Sequence, residues 1–224
     1  MVTVAAGLVV DLNTGGQGTT AQGLRRALAP LFKQSAPGVA APGRLGSDHF
    51  VVSGSPSAME YKVTGGGLVL VRSTTNGVYL VGVPDTQTVP TDPADGVNPR
   101  IDRIYARQPD PLLDGAGVAV SFVIDVAKGT PAASPLLPSL PAGALELGRK
   151  LIAAGATNTQ SGAAFTDPAP VTGLNVSAGT LPVSGGGTGG TSKAQARANL
   201  GFLSGTGVPS NSLGEDGDTY DQIL

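Results

Sequence analysis

The sequence predicts a mainly β protein: an antiparallel, sandwich-like N-terminal domain with one small helix, then a Gly-rich linker and a neck built on a second short helix. Four observations carry that reading. Short β-prone runs recur roughly every 8–12 residues between turn signals, the rhythm of an antiparallel sandwich. Charged residues are 13% against the roughly 25% of an ordinary soluble domain, while turn formers abound, with 34 Gly and 18 Pro in 224 residues. Hydrophobic residues still make up 40%, with a mean hydropathy of +0.13, enough for a core rather than wholesale disorder. Finally, five glycines and one threonine fill 185–190, directly before the alanine-rich, helix-forming stretch 191–200. So little charge on an apolar chain also points to surface hidden in an assembly.

Residues 2–12, V-T-V-A-A-G-L-V-V-D-L, read as one or two short strands, and 13–18 as a glycine turn. Thr19 or Thr20 is placed to cap a helix running to about Lys33, with Leu24, Leu28 and Leu31 on one face and Pro30 bending or shortening it. That helix either covers a sheet edge or docks a neighbouring protein. Strands are expected at 48–53, 58–63, 68–73, 78–83 and 86–89, separated by S-G-S-P, T-G-G-G, Asn76-Gly77 and Pro84-Asp85. Asn-Gly between two apolar runs is a strong hairpin signal.

Further on, N-P-R-I-D-R-I-Y-A-R (98–107) is expected as a strand with Ile101, Arg103 and Tyr105 on one face and polar or smaller residues on the other. V-A-V-S-F-V-I-D-V-A (118–127) is more continuously apolar and is expected as a central strand. Prolines keep 129–135 and 136–141 out of an ordinary ladder, so these segments are expected to cross the sandwich in extended form. Residues 144–153, A-L-E-L-G-R-K-L-I-A, read as a strand. The sequence then loosens. The domains are therefore placed at 1–155 (β-rich), 156–182 (linker) and 183–224 (neck, with a helix over 191–200).

Ser192 and Gln195 have the spacing of a capping box, and Gly201 sits where a helix stops. A helix of about nine residues is shorter than the roughly 12–15 that isolated helices need. Its flanks, 174–183 and 203–213, are Gly/Ser-rich and thinly apolar. It is therefore expected to pack against other copies of itself around an axis, through Ala194, Ala198, Leu200 and Phe202.

The stretch G-G-T-G-G-T-S-K-A-Q-A-R-A-N-L-G resembles the glycine-then-helix element of tail-fibre and minor tail proteins of tailed bacteriophages, G-G-T-G-x-[ST]-x-x-x-A-R-x-N-L-G. The match falls on Gly186, Gly187, Thr188, Gly189, Thr191, Ala196, Arg197, Asn199, Leu200 and Gly201. Residues 98–152 hold N-P-R-I-D-R-I-Y-A-R, V-I-D-V-A-K-G-T-P-A-A-S-P and P-S-L-P-A-G-A-L-E-L-G-R. They are similar to the block N-x-R-x-D-x-[IV]-x-x-R, G-T-P-A-x-x-P and P-x-x-P-x-x-[AS]-x-x-L-A of minor tail and baseplate-type proteins. Gly148 stands where that pattern has alanine. Residues 207–220 resemble the G-x-P-x-x-x-x-G-x-x-G-D-x-Y turn between fibre segments, and the chain stops just inside it. That implies a distal fibre on another protein, or a proximal part of something longer.

The resemblance implies a structural virion component of a phage tail tip or baseplate, assembled in the host cytoplasm. The β-rich domain would attach to other tail-tip or baseplate proteins, and the neck would be a homotrimer positioning a host-receptor-binding element. A tail-like bacteriocin or injection device would read the same way. The alternative is a carbohydrate-binding adhesin whose sandwich contacts host cell-surface glycan directly.

Other chemistries find little support. Net charge is −2 with no basic run, against nucleic-acid binding. Without cysteine there is no disulfide, thiolate zinc site or cysteine nucleophile. No Lys or Arg precedes Arg25 and the first apolar stretch breaks at Asp11, unlike a secretory signal or membrane span. Gly185, Gly187 and Gly190 formally match G-x-G-x-x-G but lack a βαβ context, and Lys193 is not followed by Ser or Thr as a Walker loop requires. The single histidine, His49, reads as a hydrogen-bonded edge residue beside Asp48, and no G-x-S-x-G elbow accompanies it. Asp92, Asp95, Glu215, Asp216, Asp218 and Asp221 are calcium-type oxygen ligands by chemistry, but turn residues by position. Asp102 and Arg103 are expected to pair with strand neighbours or an adjoining subunit. Asn175-Val176-Ser177 has the form of a glycosylation sequon, which matters only on secretion. Aromatics are 4% with no Trp, a poor supply for stacking sugars. The expectation is no enzyme, no cofactor and no metal.

Overall fold

The chain is described by a computed structural model over residues 14–15, 18–175, 188, 192–200, 202–205 and 219–222. It divides into two units, Met1–Asn175 and Val176–Leu224. The strands expected in 2–12, the glycines 185–187 and the rest of the expected linker lie outside the described residues.

Helix α1 (Ala21–Leu28) starts where Thr20 Oγ1 accepts the amide of Gly23, satisfying a donor that the first turn leaves free. Pro30 has no N–H to continue the ladder, so the chain tightens into a 3₁₀ turn at Ala29–Leu31. Of the three leucines expected on one face, Leu28 packs inward while Leu24 and Leu31 are exposed. The helix bonds to the turn that leads into β7 (Tyr79–Val83), through Asn76 and Val78.

Eleven strands follow in the first unit: β1 (Gln34–Ala36), β2 (Val39–Ala40), β3 (Gly43–Arg44), β4 (Val52–Gly54), β5 (Glu60–Val63), β6 (Gly66–Leu70), β7 (Tyr79–Val83), β8 (Gln87–Pro90), β9 (Arg100–Arg107), β10 (Val123–Lys128) and β11 (Leu145–Ile152), with helix α2 (Pro111–Asp114) between β9 and β10. The unit is mainly β, and its ladders are antiparallel. They form a two-stranded ribbon β1-β2 and three three-stranded sheets, ordered β3-β6-β7, β4-β5-β8 and β10-β9-β11. The three sheets share one core, which includes Val52, Tyr61, Val63, Leu68, Leu70 and Ile104. Strand β6 is buried on both faces, because Val69 points the other way into a second cluster with Ala29, Phe32, Ala40 and Val78.

The hairpin expected at Asn76-Gly77 exists, but its first pair is Leu70 with Tyr79, so the connection is longer than a two-residue turn. It is held by α1: Gln22 donates to Asn76 Oδ1, Arg25 Nε to Asn76 O, and Val78 N to Arg25 O. Gly77 has φ +74°, and a Cβ there would stand 2.3 Å from the Arg25 carbonyl carbon. Residues 48–50 turn instead of extending. Phe50 alone among the described non-glycine residues has positive φ (+50°), in exchange for a fully buried ring.

One expectation about 98–127 is corrected. The central strand is β9, not the run 118–127, which extends only from Val123 and forms an edge. Val123 already pairs with Arg107, the last residue of β9, so upstream residues have no ladder to join. Val120 is accordingly exposed. Along β9 the face expected to carry polar or smaller residues turns toward the shared core, and Tyr105 on the other face is buried as well. Arg100, Asp102, Ile104 and Ala106 face inward, and Ile101, Arg103 and Arg107 are only half-buried. Strand β11 has a bulge between Glu146 and Gly148 that turns Leu147 into the core.

The first unit does not end near 155. Residues 156–175, expected to open a linker, are packed onto it: Thr159 is fully buried and Ala169 belongs to the core. The second unit contains helix α3 (Lys193–Asn199) and a parallel pair, β12 (Phe202–Gly205) with β13 (Thr219–Gln222).

Candidate functional site

The block 98–152 folds as one assembly around β9. On its inner face Asp102 is fully buried and accepts Arg100 Nε at 2.8 Å, Thr91 Oγ1 at 2.7 Å and the Tyr61 hydroxyl at 2.9 Å. Arg100 spends its other donors on the carbonyls of Pro93 (2.6 Å) and Asp92 (2.5 Å), fixing the loop before the strand. Burial, then the Asp102 charge and its hydrogen bond, push the Tyr61 phenol far above its ordinary range. A buried ion pair whose hydrogen bonds are all met sets a register more than it adds stability.

The other face of β9 holds the proline-rich strip. Arg103 donates to Pro138 O (2.7 Å) and pairs with Glu146 (2.5 Å), which Arg149 also contacts at 2.7 Å. Arg107 donates to Ala142 O (3.1 Å) and pairs with Asp114. Ala132 N donates to Pro99 O, and Gly129 lies so close to β9 that a Cβ would stand 2.6 Å from Ile101 O. The three sequence patterns thus meet in space: arginines on one strand grip carbonyls that prolines hold extended. Gly148 also finds a reason. A Cβ there would approach Val52 Cγ2 to 3.0 Å, tighter than ordinary contact.

A second cluster joins α1, α2 and β7. Asp110 caps α2 through the Leu112 amide, accepts the Tyr79 hydroxyl at 2.5 Å and pairs with Arg25 at 3.1 Å. Arg72 grips Asp114 with two donors, at 2.8 and 2.7 Å. The Tyr79 hydrogen bond, followed by the Leu112 amide and nearby arginines, holds Asp110 below the usual carboxylate range. Arg72 chiefly does the same for Asp114. Burial first, then the bond to Asp110, pushes Tyr79 up to about 12. Each acid has a cation or donor on it, so the cluster is built to clamp helices to a sheet.

The other singled-out residues that are described bond to near neighbours. His49 Nδ1 accepts the Gly67 amide at 3.0 Å, and its Nε2 lies 3.9 Å from Asp48. Asp92 pairs with Lys128, and Asp95 accepts the amides of Val97 and Asn98. Asp102 and Arg103 pair within the chain. Among the described residues no cluster of three or more His, Cys, Asp or Glu could hold a metal ion. Glu215, Asp216 and Asp218 lie outside those residues, and Asp221 is described only as a backbone position in β13.

In the second unit, Ser192 Oγ accepts the Gln195 amide at 3.2 Å and caps α3. Asn199 Nδ2 donates to Thr188 O at 2.7 Å, tying the glycine segment back to the helix. None of Lys193–Asn199 is buried; Ala194, Ala198 and Leu200 are exposed, and only Ala196 is half-covered. Phe202 begins β12, beside the helix in sequence, where a strand had not been expected. Sequence reasoning missed both polar clusters, since their members are scattered from Arg25 to Glu146. Only the arginine-rich pattern 100–107 hinted at them.

No protein-family model, curated protein or solved structure matches the chain. Among the described residues no helix is long and apolar enough to cross a membrane.

Proposed function

We propose that this chain is a structural virion component of a phage tail tip or baseplate, with the first unit as the tail-attachment domain and the second as a homotrimeric fibre neck. The observation that carries the neck is α3. It is seven residues long and capped, yet buries none of its side chains within its own chain. Helices that short need packing from elsewhere. Ala194 and Ala198 are four apart, hence on one helix face, and small enough for close approach of identical helices. Leu200 and Phe202 extend the apolar contact at the helix end. The attachment role rests on the resemblance of 98–152, and the arginine-gripped proline strip supports it as a rigid, charge-poor body.

Light scattering of the full chain at high concentration tests the neck. A trimer that Ala198→Glu converts to monomer is the expected result, and a monomeric wild-type chain would overturn the neck while leaving attachment open. Electron microscopy of intact particles labelled at the C-terminus tests attachment. Binding of the chain alone to purified host envelope would instead favour a glycan-binding adhesin.

A further inference from the structure

We infer that residues 159–175 are a strap through which tension on the second unit enters the core of the first. The inference rests on the proposed neck role for the second unit, but the strap's chemistry stands on the first unit alone. Thr159 is fully buried, where its Oγ1 donates to Glu60 O at 2.5 Å and accepts the Ser55 amide at 2.9 Å. Next to it, Gly54 leaves room for the strap: a Cβ there would stand 2.6 Å from the Gln160 backbone. The buried ammonium of Lys150 donates to Gln160 O at 3.3 Å and to Ala163 O, and sits 4.6 Å from the centre of the Phe165 ring. That ring in turn meets Tyr61 edge-on at 6.0 Å.

The outer half is fastened with similar density. Thr166 exchanges both backbone bonds with Arg149. Arg44, itself buried, reaches Asp167 at 2.8 Å as an ion pair off the N–H axis and donates to Ala169 O at 3.0 Å. Its backbone bonds Pro170 O and the Thr172 amide. The last fastenings are Lys33 N to Gly173 O, Asn175 N to Leu31 O, and Asn175 Nδ2 to Pro30 O. The second unit begins at the next residue, Val176. A tether with no mechanical duty needs neither a buried lysine nor a buried arginine along its length. Here the two cations hold strap carbonyls to strands from two different sheets, so pulling on Asn175 is resisted by the core rather than by one loop.

The chain has no cysteine, so Ser57→Cys and Ser177→Cys give unique handles for single-molecule pulling of the full chain. Ser57 lies close in sequence to Ser55, the partner of Thr159, and the load then runs along the strap. The expected wild-type result is one rupture in which strap and first unit give way together. In Thr159→Val, and in Asp167→Asn, which weakens the pair but leaves an acceptor facing Arg44, the strap lets go first, in a separate step bounded by the roughly 60 Å contour length of its 17 residues at ~3.5 Å each. An early step of that length in the wild type, or variants whose rupture is unchanged, would overturn the strap. Neither outcome depends on whether light scattering finds a trimer, so the two readings fail separately.

Discussion

Removing the Asp102 carboxylate is the sharpest perturbation the first unit offers. Asp102→Ala leaves Arg100 almost wholly buried without its counter-charge and leaves the buried Tyr61 hydroxyl and Thr91 without their acceptor. Breaking a buried pair from one side costs about 3–5 kcal/mol, and an orphaned buried donor about 1–3 kcal/mol, and the two do not simply add. Arg100 keeps the carbonyls of Pro93 and Asp92, which pulls the total toward the lower end. The expected loss is about 3–5 kcal/mol, or roughly 6–20 °C in melting temperature for a chain of this size. Near-UV circular dichroism suits the measurement. There is no Trp, and three of the four tyrosines, Tyr61, Tyr79 and Tyr105, are buried in the first unit. Replacing both partners together, Arg100→Met with Asp102→Leu, should recover most of the loss, because no charge is then stranded. An Asp102→Ala protein within about 1 kcal/mol of wild type would refute the reasoning, since a carboxylate with four donors on it could then be dispensed with.

Glycine positions give a paired test: Gly66→Ala, at φ +132° with His49 Cγ 2.4 Å from the added Cβ, should cost about 1–3 kcal/mol in chemical denaturation. Gly82→Ala meets nothing within 4 Å and should be neutral or stabilising by about 0.4–1 kcal/mol. In acid, Asp110 and Asp114 are held below the ordinary carboxylate range, so their contribution is complete above that range and disappears as pH falls through their folded values. The acid slope of melting temperature should therefore flatten in Asp114→Asn. In alkali the sign reverses, because Tyr79 is raised from 10.0 to about 12: its contribution holds below pH 10 and is lost between 10 and about 12. Tyrosinate absorbance should lose one tyrosine's late ionisation in Tyr79→Phe, while Tyr61 and Tyr105, also raised, still ionise late.

Local signals in the sequence were enough for the local structure. Thr20 caps α1 and Pro30 ends it, because a hydroxyl near a free amide and a missing N–H act within one turn. Asn76-Gly77 marked a hairpin, and alternation placed β11 within a residue of each end. Ser192 and the alanines that follow marked where α3 begins and runs. Which face of β9 turns inward was beyond that kind of reading. Alternation separated Ile101 and Tyr105 from the polar face without saying which turns inward; Arg100 and Asp102 are buried because Tyr61 and Thr91, remote in sequence, complete their hydrogen bonds. The central place of β9 and the capture of 156–175 have the same origin. The first depends on ladders to both β10 and β11, the second on partners such as Arg44 and Lys150, and only the folded arrangement brings these distant residues within hydrogen-bonding reach.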